Sequence, residues 1–363
     1  MAQNVSVYEG CLLGMAIGDA MGYTVDAKTW DEIREDYGPN GLLGYDVANG
    51  CVEVSSYTQL GAYVANGLLL AVSRGKADLY PKYIQMAMKE WARRQNLPRD
   101  PEKYYCWISH VSCLRRRHCR DSRMLDALRN PNLGTVEKPI NKNPTPGSMT
   151  AAAMVGLIYD NKRLSMSQVG RFGAEAVAAT HGGTEAFLSG AVLAYVIADI
   201  CNAPQRTLKE HFLWAIDTME NQFYNKYPKA GEIADFLKQT IDFAAKGKEH
   251  GMETLECNSA DQCLAGAMYA CLVSEEDFDT AIITAVNHSG RSAAVGAMTG
   301  AILGAKLGKE ELPAFYLEGL EVAEVLSHLA RDIAQGSPTT GLFDDDWDHK
   351  YTQGLPMAQF VTE

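Results

Sequence analysis

The stretch Ala285-Val-Asn-His-Ser-Gly-Arg-Ser-Ala-Ala-Val-Gly-Ala-Met-Thr-Gly-Ala-Ile-Leu-Gly-Ala305 decides how the rest of the sequence is read. Its opening, Asn287-His288-Ser289-Gly290, is polar and carries a glycine, so it reads as a loop. From about Ala293 it turns small and apolar, with Gly296, Gly300 and Gly304 at every fourth position. Residues four apart share a helix face, and glycines along one face let a neighbouring backbone approach closely. A helix of such small residues offers water little polar surface and is expected to be buried. The polar loop then sits at the N-terminus of a buried helix, where free N–H groups favour an anion or another ligand. Arg291 and Ala293 stand where a metal-binding loop would carry carboxylates.

A second segment has the same character. Tyr8-Glu-Gly-Cys-Leu-Leu-Gly-Met-Ala-Ile-Gly-Asp-Ala-Met-Gly22 carries Gly14, Gly18 and Gly22 at four-residue spacing and one acid, Asp19. The two glycine-spaced helices are expected to pack centrally. Between them, residues 31–45 read as a short polar helix followed by the turn Gly38-Pro-Asn-Gly41. Residues 58–73 read as an apolar helix capped by Ser55 or Ser56. Helical patterning recurs at 80–96, 149–160, 165–180, 184–201, 206–220, 230–246, 258–272, 277–287 and 311–334. The segment 97–148, interrupted by Pro98, Pro101, Pro131, Pro139, Pro144 and Pro146, reads as loop-rich, and 335–363 as a polar, turn-rich tail. No alternating strand pattern and no linker-like shift in composition occurs. The sequence predicts one all-α domain over residues 1–363.

Composition narrows the function. Apolar residues make up 47% of 363, enough for a large core, and the formal charge is −12 with no long basic run. Nucleic acid is not expected as a partner, because phosphate binding calls for a basic face. No uncharged apolar run reaches the length of a membrane span, and the opening Met1-Ala-Gln-Asn-Val-Ser lacks the basic flank of a signal peptide. Nine scattered cysteines then point to reduced thiols and a cytoplasmic location.

Polar loops ahead of apolar helices converge on one pocket in many helical enzymes. Four segments here have that form: Asp19 to Asp26, Val54 to Gln59, Asn141 to Thr150 and Asn287 to Ser292. Thr180-His181-Gly182-Gly183 is a fifth. A separate cluster, Cys106, His110, Cys113, His118 and Cys119, contains zinc-type ligands. As a helix it would place Cys106, His110 and Cys113 on one face. Its spacing matches no standard zinc module, and Arg115, Arg116, Arg117 and Arg120 read as the solvated basic face of an amphipathic helix or as a surface for an acidic partner.

These motifs together resemble the ADP-ribosylglycohydrolase family, almost end to end. Gly10 to Asp26 resembles the family's opening glycine-rich helix with its Gly-Asp-Ala-Leu-Gly run and following Glu, and Ile33 to Gly41 resembles its Ile…Tyr-Gly-Pro-x-Gly element. Thr180-His181-Gly182 resembles its Thr-His segment, Phe278 to Gly304 its closing segment, and Trp347 and Tyr351 the end of some members. The resemblance implies an all-α fold with a cleft for ADP-ribose, two Mg²⁺ ions, and cleavage of ADP-ribose from modified side chains or related conjugates.

Position by position, the acids of that chemistry are missing. The family's Ser-Asp-Asp-Thr-Gln run is similar to Ser55-Ser56-Tyr57-Thr58-Gln59, whose flanks survive without the acids. The family's Gly-Asp-Ser-Asp-Ser run is similar to Gly290-Arg291-Ser292-Ala293-Ala294. The family Glu is Asp26 here, and Gly147-Ser148-Met149-Thr150 lacks the Arg of Gly-Val-Met-Arg. Magnesium prefers anionic oxygen ligands, so no metal and no cofactor are expected. Arg291 either holds pyrophosphate or ribose oxygens in the metal's stead or pairs with Asp19 or Asp26.

The expected function is a metal-less pseudoenzyme whose cleft takes ADP-ribose, a related nucleotide or a protein partner. The alternative is a hydrolase of ADP-ribosyl N- or O-glycosidic bonds with a rebuilt, metal-independent site. The catalytic candidates are Asp26 and Asp19. The ligand-binding candidates are Ser55, Ser56, Tyr57, Thr58, Gly147, Ser148, His181, His288, Ser289, Gly290, Arg291 and Ser292. A cationic Arg291 near an anomeric carbon would oppose the oxocarbenium charge of glycoside cleavage.

Overall fold

The two glycine-spaced segments lie against each other, and the other helices are arranged around them. In the computed structural model, residues 5–47, 52–96, 104–246, 251–336 and 345–360 are described. They contain seventeen α-helices. In order these are α1 (Val5–Val25), α2 (Trp30–Tyr37), α3 (Ser56–Ser73), α4 (Tyr80–Asn96), α5 (Ser122–Arg129), α6 (Met149–Leu157), α7 (Met166–Ala178) and α8 (Thr184–Asn202). There follow α9 (Leu208–Phe223), α10 (Lys229–Ala244), α11 (Gly251–Thr254), α12 (Ala260–Val273), α13 (Phe278–Val286) and α14 (Ser292–Leu307). The last three are α15 (Ala314–Gly319), α16 (Ala323–Gln335) and α17 (Asp345–Tyr351). The all-α, single-domain expectation holds.

Helices α1 and α14 run antiparallel: Gly10 meets Gly304, Gly14 meets Gly300, Gly18 meets Gly296 and Gly22 meets Ser292. A Cβ on Gly14 would sit 2.2 Å from the Gly300 carbonyl oxygen, and one on Gly300 1.9 Å from that of Gly14. No side chain fits at that separation, so the four-residue glycine spacing is what permits the contact. Helix α16 packs on α1, while α12, α13 and α8 pack on α14; α6, α7 and α8 form a neighbouring layer, and α3 pairs with α4. Both members of the pair are buried along almost their full lengths.

Local chemistry sets the helix starts. Ser55 caps α3, its side chain accepting from the Tyr57 N–H, and Thr29, Ser165 and Thr207 form capping boxes at α2, α7 and α9. After α2 the chain turns through Gly38 and Gly41, whose φ values of 90° and 70° suit glycine.

Several expectations need correction. The segment 97–148 holds α5, short enough to be hidden among prolines, capped by Asp121 and burying Met124, Leu125 and Leu128. The pattern at 311–334 breaks into α15 and α16 at Leu320, which pairs with Val52 in an isolated parallel bridge. The tail contains α17, whose Trp347 donates to Ser73 (3.1 Å) and whose Tyr351 donates to Asp332 (2.5 Å). Residues 106–119 form two short 3-10 turns rather than one helix, so Cys106, His110 and Cys113 share no face. Cys106 is wholly buried, and among the described residues no group of three or more His, Cys, Asp or Glu is placed to hold a metal ion. The arginine run divides: Arg116 pairs with Glu53 and Glu321, Arg115 donates to the carbonyls of Ser109 and His110, and Arg120 stacks on Tyr23. Helix α8 is long and apolar enough to cross a membrane, but 83% of its apolar window is buried inside the fold. All eight described cysteines are free thiols.

The seam gives a direct test. Gly300→Ala should destabilise the fold by about 3 kcal/mol in urea unfolding, the upper range of overpacking costs. The control Gly44→Ala, where an added Cβ meets nothing within 4 Å, should stay within about 0.5 kcal/mol of the parent.

Candidate functional site

The antiparallel seam brings the C-terminus of α1 to the N-terminus of α14, and a cavity of about 220 Å³ opens there. Five segments line it: Tyr23 and Asp26 from the end of α1, Ser55 to Tyr57 from the start of α3, His118 and Arg120 to Met124 ahead of and within α5, Thr145 to Gly147 ahead of α6, and Arg291 and Ala293 at α14. Helices α3, α5 and α14 thus present their N-terminal ends to one space. Their partial positive charge is reinforced by the guanidinium groups of Arg120, Arg123 and Arg291.

Asp19 stands behind this wall. It is fully buried, and its carboxylate accepts from the backbone N–H groups of Ser55 (2.9 Å) and Thr58 (3.0 Å) and from their hydroxyls (2.5 and 2.6 Å). Burial pushes the carboxyl up to about 6, with those hydrogen bonds pulling the other way. Asp19 fastens α3 to α1 and does not line the cavity. Asp26 does line it. Its Oδ1 accepts from the Ala293 N–H at 3.2 Å, occupying the first turn of α14. Burial raises its pKa, opposed by the Ala293 N–H and by the charges of Arg291 and Arg120. The next residue, Ala27, takes φ 69°, a left-handed conformation uncommon for a residue with a Cβ.

The same cavity is lined by Asp121, which local pattern did not single out and which lies against the expected His181. Asp121 caps α5 through Oδ1, which accepts from Met124 N–H at 3.1 Å, and its Oδ2 lies 3.4 Å from His181 Nε2. His181 is wholly buried; its Nδ1 is 2.8 Å from the Thr180 hydroxyl and 3.0 Å from that of Ser148. Burial acts to raise the Asp121 carboxyl, but His181, the Met124 N–H and Arg123 outweigh it and hold it down to about 2. Gly147 is required over His181, since a Cβ there would lie 2.6 Å from Nε2.

The loop 287–291 serves mainly as a brace. Asn287 holds both backbone polar groups of Leu42, and Ser289 accepts from Trp30 N–H and donates to Glu253. The Gly290 N–H donates to His288 Nδ1, and Arg291 N–H to the Cys257 carbonyl. His288 is buried without a partner for Nε2, and burial lowers its pKa to about 4.

Of the residues expected from sequence, Asp26, Ser55, Ser56, Tyr57, Gly147 and Arg291 share the cavity wall; Asp19, Thr58, Ser148, His181, His288, Ser289, Gly290 and Ser292 do not line it. Tyr23, His118, Arg120, Asp121 and Arg123 complete the cavity from outside that set. The signal for the last four lay in the arginine-rich run and in Asp121-Ser122, a helix-start pair.

A family model described as ADP-ribosylglycohydrolase matches residues 3–342. The chain belongs to the ADP-ribosylglycohydrolase family. An uncharacterised protein of Archaeoglobus fulgidus is 25% identical over 334 residues, covering 89% of this chain and 94% of that protein. A solved structure titled ADP-ribosylglycohydrolase-related protein complex superposes with a TM-score of 0.58 at 22% identity, covering 92% of this chain and 99% of that one, and so shares the fold.

In this family the resemblance implied two Mg²⁺ ions, and the residues present do not fit them. Ser56, Tyr57, Arg291 and Ala293, the positions similar to the family's acids, do converge on the cavity. They offer a hydroxyl, a phenol, a cation and a methyl group. The cavity's carboxylates, Asp26 and Asp121, are already engaged by Ala293 N–H and by Met124 N–H and His181. Arg291 would also repel a dication.

Two outcomes follow. The quadruple variant Ser56→Asp, Tyr57→Asp, Arg291→Asp, Ala293→Asp should gain calorimetrically measurable Mg²⁺ binding that the parent lacks; no gain would contradict the placement of these positions. An unfolded histidine titrates near ~6.5, whereas buried His288 titrates near 4. Its stabilising contribution is therefore complete above ~6.5 and lost as pH falls toward 4. Between pH 7 and 5 the parent should lose about 2 kcal/mol of unfolding free energy relative to His288→Asn, as the shift converts at about 1.4 kcal/mol per pH unit.

Proposed function

We propose that this chain is a metal-less member of its family that binds ADP-ribose or a related nucleotide, free or attached to a modified protein, in the cavity between α1 and α14, and that it does not hydrolyse it by the family's metal chemistry. One observation supports this above the others: Arg291 stands at the N-terminus of α14, on a cavity wall that carries neither of the acids expected there. Arg291 forms no ion pair among the described residues, and its charge acts on Asp26 without a direct bond. Its guanidinium is thus available for phosphate oxygens, which it matches in geometry. The cavity volume of about 220 Å³ is below the ~300–1,000 Å³ of sites enclosing whole drug-sized ligands. It suits the terminal ribose and adjoining phosphate, with the remainder of the nucleotide outside. No nucleic-acid or membrane partner enters this reading, and the free thiols support a cytoplasmic location.

One feature favours a second reading, metal-independent hydrolysis of ADP-ribosyl bonds: Asp26 carries a raised pKa inside the cavity, the condition for a general acid. Against it stand Arg291 and Arg120 beside that carboxyl, which would oppose a developing positive charge.

Calorimetric titration with ADP-ribose in EDTA separates the readings from an empty cleft. The parent should bind in the micromolar to millimolar range without turnover. Arg291→Ala should weaken binding at least ~10-fold, because hydrogen bonds to charged groups contribute about 1.5–3 kcal/mol. No heat at millimolar ADP-ribose would overturn the proposal. Release of ADP-ribose from an ADP-ribosylated protein in EDTA, abolished by Asp26→Asn, would establish the second reading.

A further inference from the structure

The cavity pairs cations with two carboxylates, and a ligand of phosphate alone would satisfy only the cations. We infer that Asp121 is a specificity-determining residue, accepting hydrogen bonds from ligand hydroxyls set beside a phosphate, and that His181 positions it for this. The inference rests on the cleft-binding reading above and names the part of the ligand that enters first.

Asp121 is placed for this by three contacts. Its Oδ1 is fixed by the Met124 N–H at 3.1 Å, so the carboxyl cannot swing away without uncapping α5. Its Oδ2 faces His181 Nε2 at 3.4 Å, and 24% of the side chain stays exposed to the cavity. Behind it, the hydroxyls of Thr180 and Ser148 sit at His181 Nδ1, at 2.8 and 3.0 Å. Among the described residues His181 Nε2 has no hydrogen-bond partner, and the Asp121 carboxylate stands 3.4 Å from it. The Thr180 and Ser148 side chains are wholly buried, so this row of polar contacts runs from the core toward the cavity rather than presenting a nucleophile there. Gly147, which leaves no Cβ between His181 and the cavity, keeps the contact open.

An ionised carboxylate only accepts hydrogen bonds, and a guanidinium only donates them. With Asp26 and Asp121 lining the same cavity as Arg120, Arg123 and Arg291, the complementary ligand end carries hydroxyl donors next to phosphate acceptors. A pentose bearing a phosphate has that pattern, and the terminal ribose of ADP-ribose is such an end. ADP has the same diphosphate, and its one ribose carries the adenine, so it lacks this second, base-free ribose. A ligand without the hydroxyls leaves the carboxylates facing phosphate, an unfavourable like-charge contact.

The test is calorimetry of ADP-ribose and ADP against the parent, Asp121→Asn and His181→Asn. Asparagine is as good a helix cap as aspartate, so α5 is retained, and thermal melting of both variants checks the fold. The parent should prefer ADP-ribose ~10-fold or more. Asp121→Asn should weaken ADP-ribose ~10-fold while ADP binds equally or more tightly, because a negative charge has left the cavity. His181→Asn should narrow the same preference without weakening ADP. A merely structural role would weaken both ligands together, and that result would overturn the inference, as would unchanged affinities or a parent that does not prefer ADP-ribose; in each of these the cleft-binding reading stands. A parent that binds neither ligand overturns both.

Discussion

The contact between α1 and α14 is the constraint on which the rest of the molecule depends. Two helices can approach until backbone meets backbone only where neither carries a side chain. Gly10, Gly14, Gly18 and Gly22 on one side, with Gly296, Gly300 and Gly304 on the other, supply that condition over almost the full length of the pair. The contact is antiparallel, so it brings a helix C-terminus and a helix N-terminus to the same end. That end is where the cavity forms. The seam sets the distance between Asp26 and the first turn of α14, and the Asp26–Ala293 hydrogen bond records it.

The electrostatics follow from this arrangement. Several helix N-termini converging on one space create a positive field, and something negative must complement it. Part of the field is met within the chain: Asp19 takes the start of α3, Asp26 that of α14 and Asp121 that of α5. The substitutions that distinguish this chain from its family's pattern push the balance further positive, since Ser56, Tyr57 and Ala293 are neutral and Arg291 is cationic. On the proposed reading, the cavity takes the anionic ligand itself where the family's pattern places metal ions. The glycine seam and the Asn287 brace act on the fold whatever the chemistry at 291 and 293.

Much of this was legible in the sequence. Four-residue glycine spacing specifies a close helix pair by geometry alone, and serine and threonine caps mark the helix starts. The convergence of Asp26, Ser56, Tyr57 and Arg291 was suggested by polar loops set ahead of apolar helices and made specific by the resemblance to the family. What was illegible depended on tertiary contacts. Asp19 and His181 are polar residues in conspicuous motifs, yet each is buried with its partners, and no sequence pattern separates a residue behind a cavity wall from one in it. Asp121 and Arg120 were obscured for the opposite reason. They sit in a proline-rich, arginine-rich stretch whose local character is that of solvated surface, and only its folding across the end of α1 makes it a wall. The break between α15 and α16 likewise coincides with a bridge from Leu320 to Val52, more than 260 residues away in sequence.

The central claim is that the cavity now takes an anionic ligand where its family's pattern places metal ions. A crystal structure of the protein soaked with ADP-ribose and Mg²⁺ together tests it most directly. Ligand density is expected in the cavity, with phosphate oxygens on the Arg291 and Arg120 guanidinium groups and no metal between them and the wall formed by Ser56 and Tyr57. Octahedral Mg²⁺ density in the cavity, or ADP-ribose bound elsewhere with the cavity open, would contradict it.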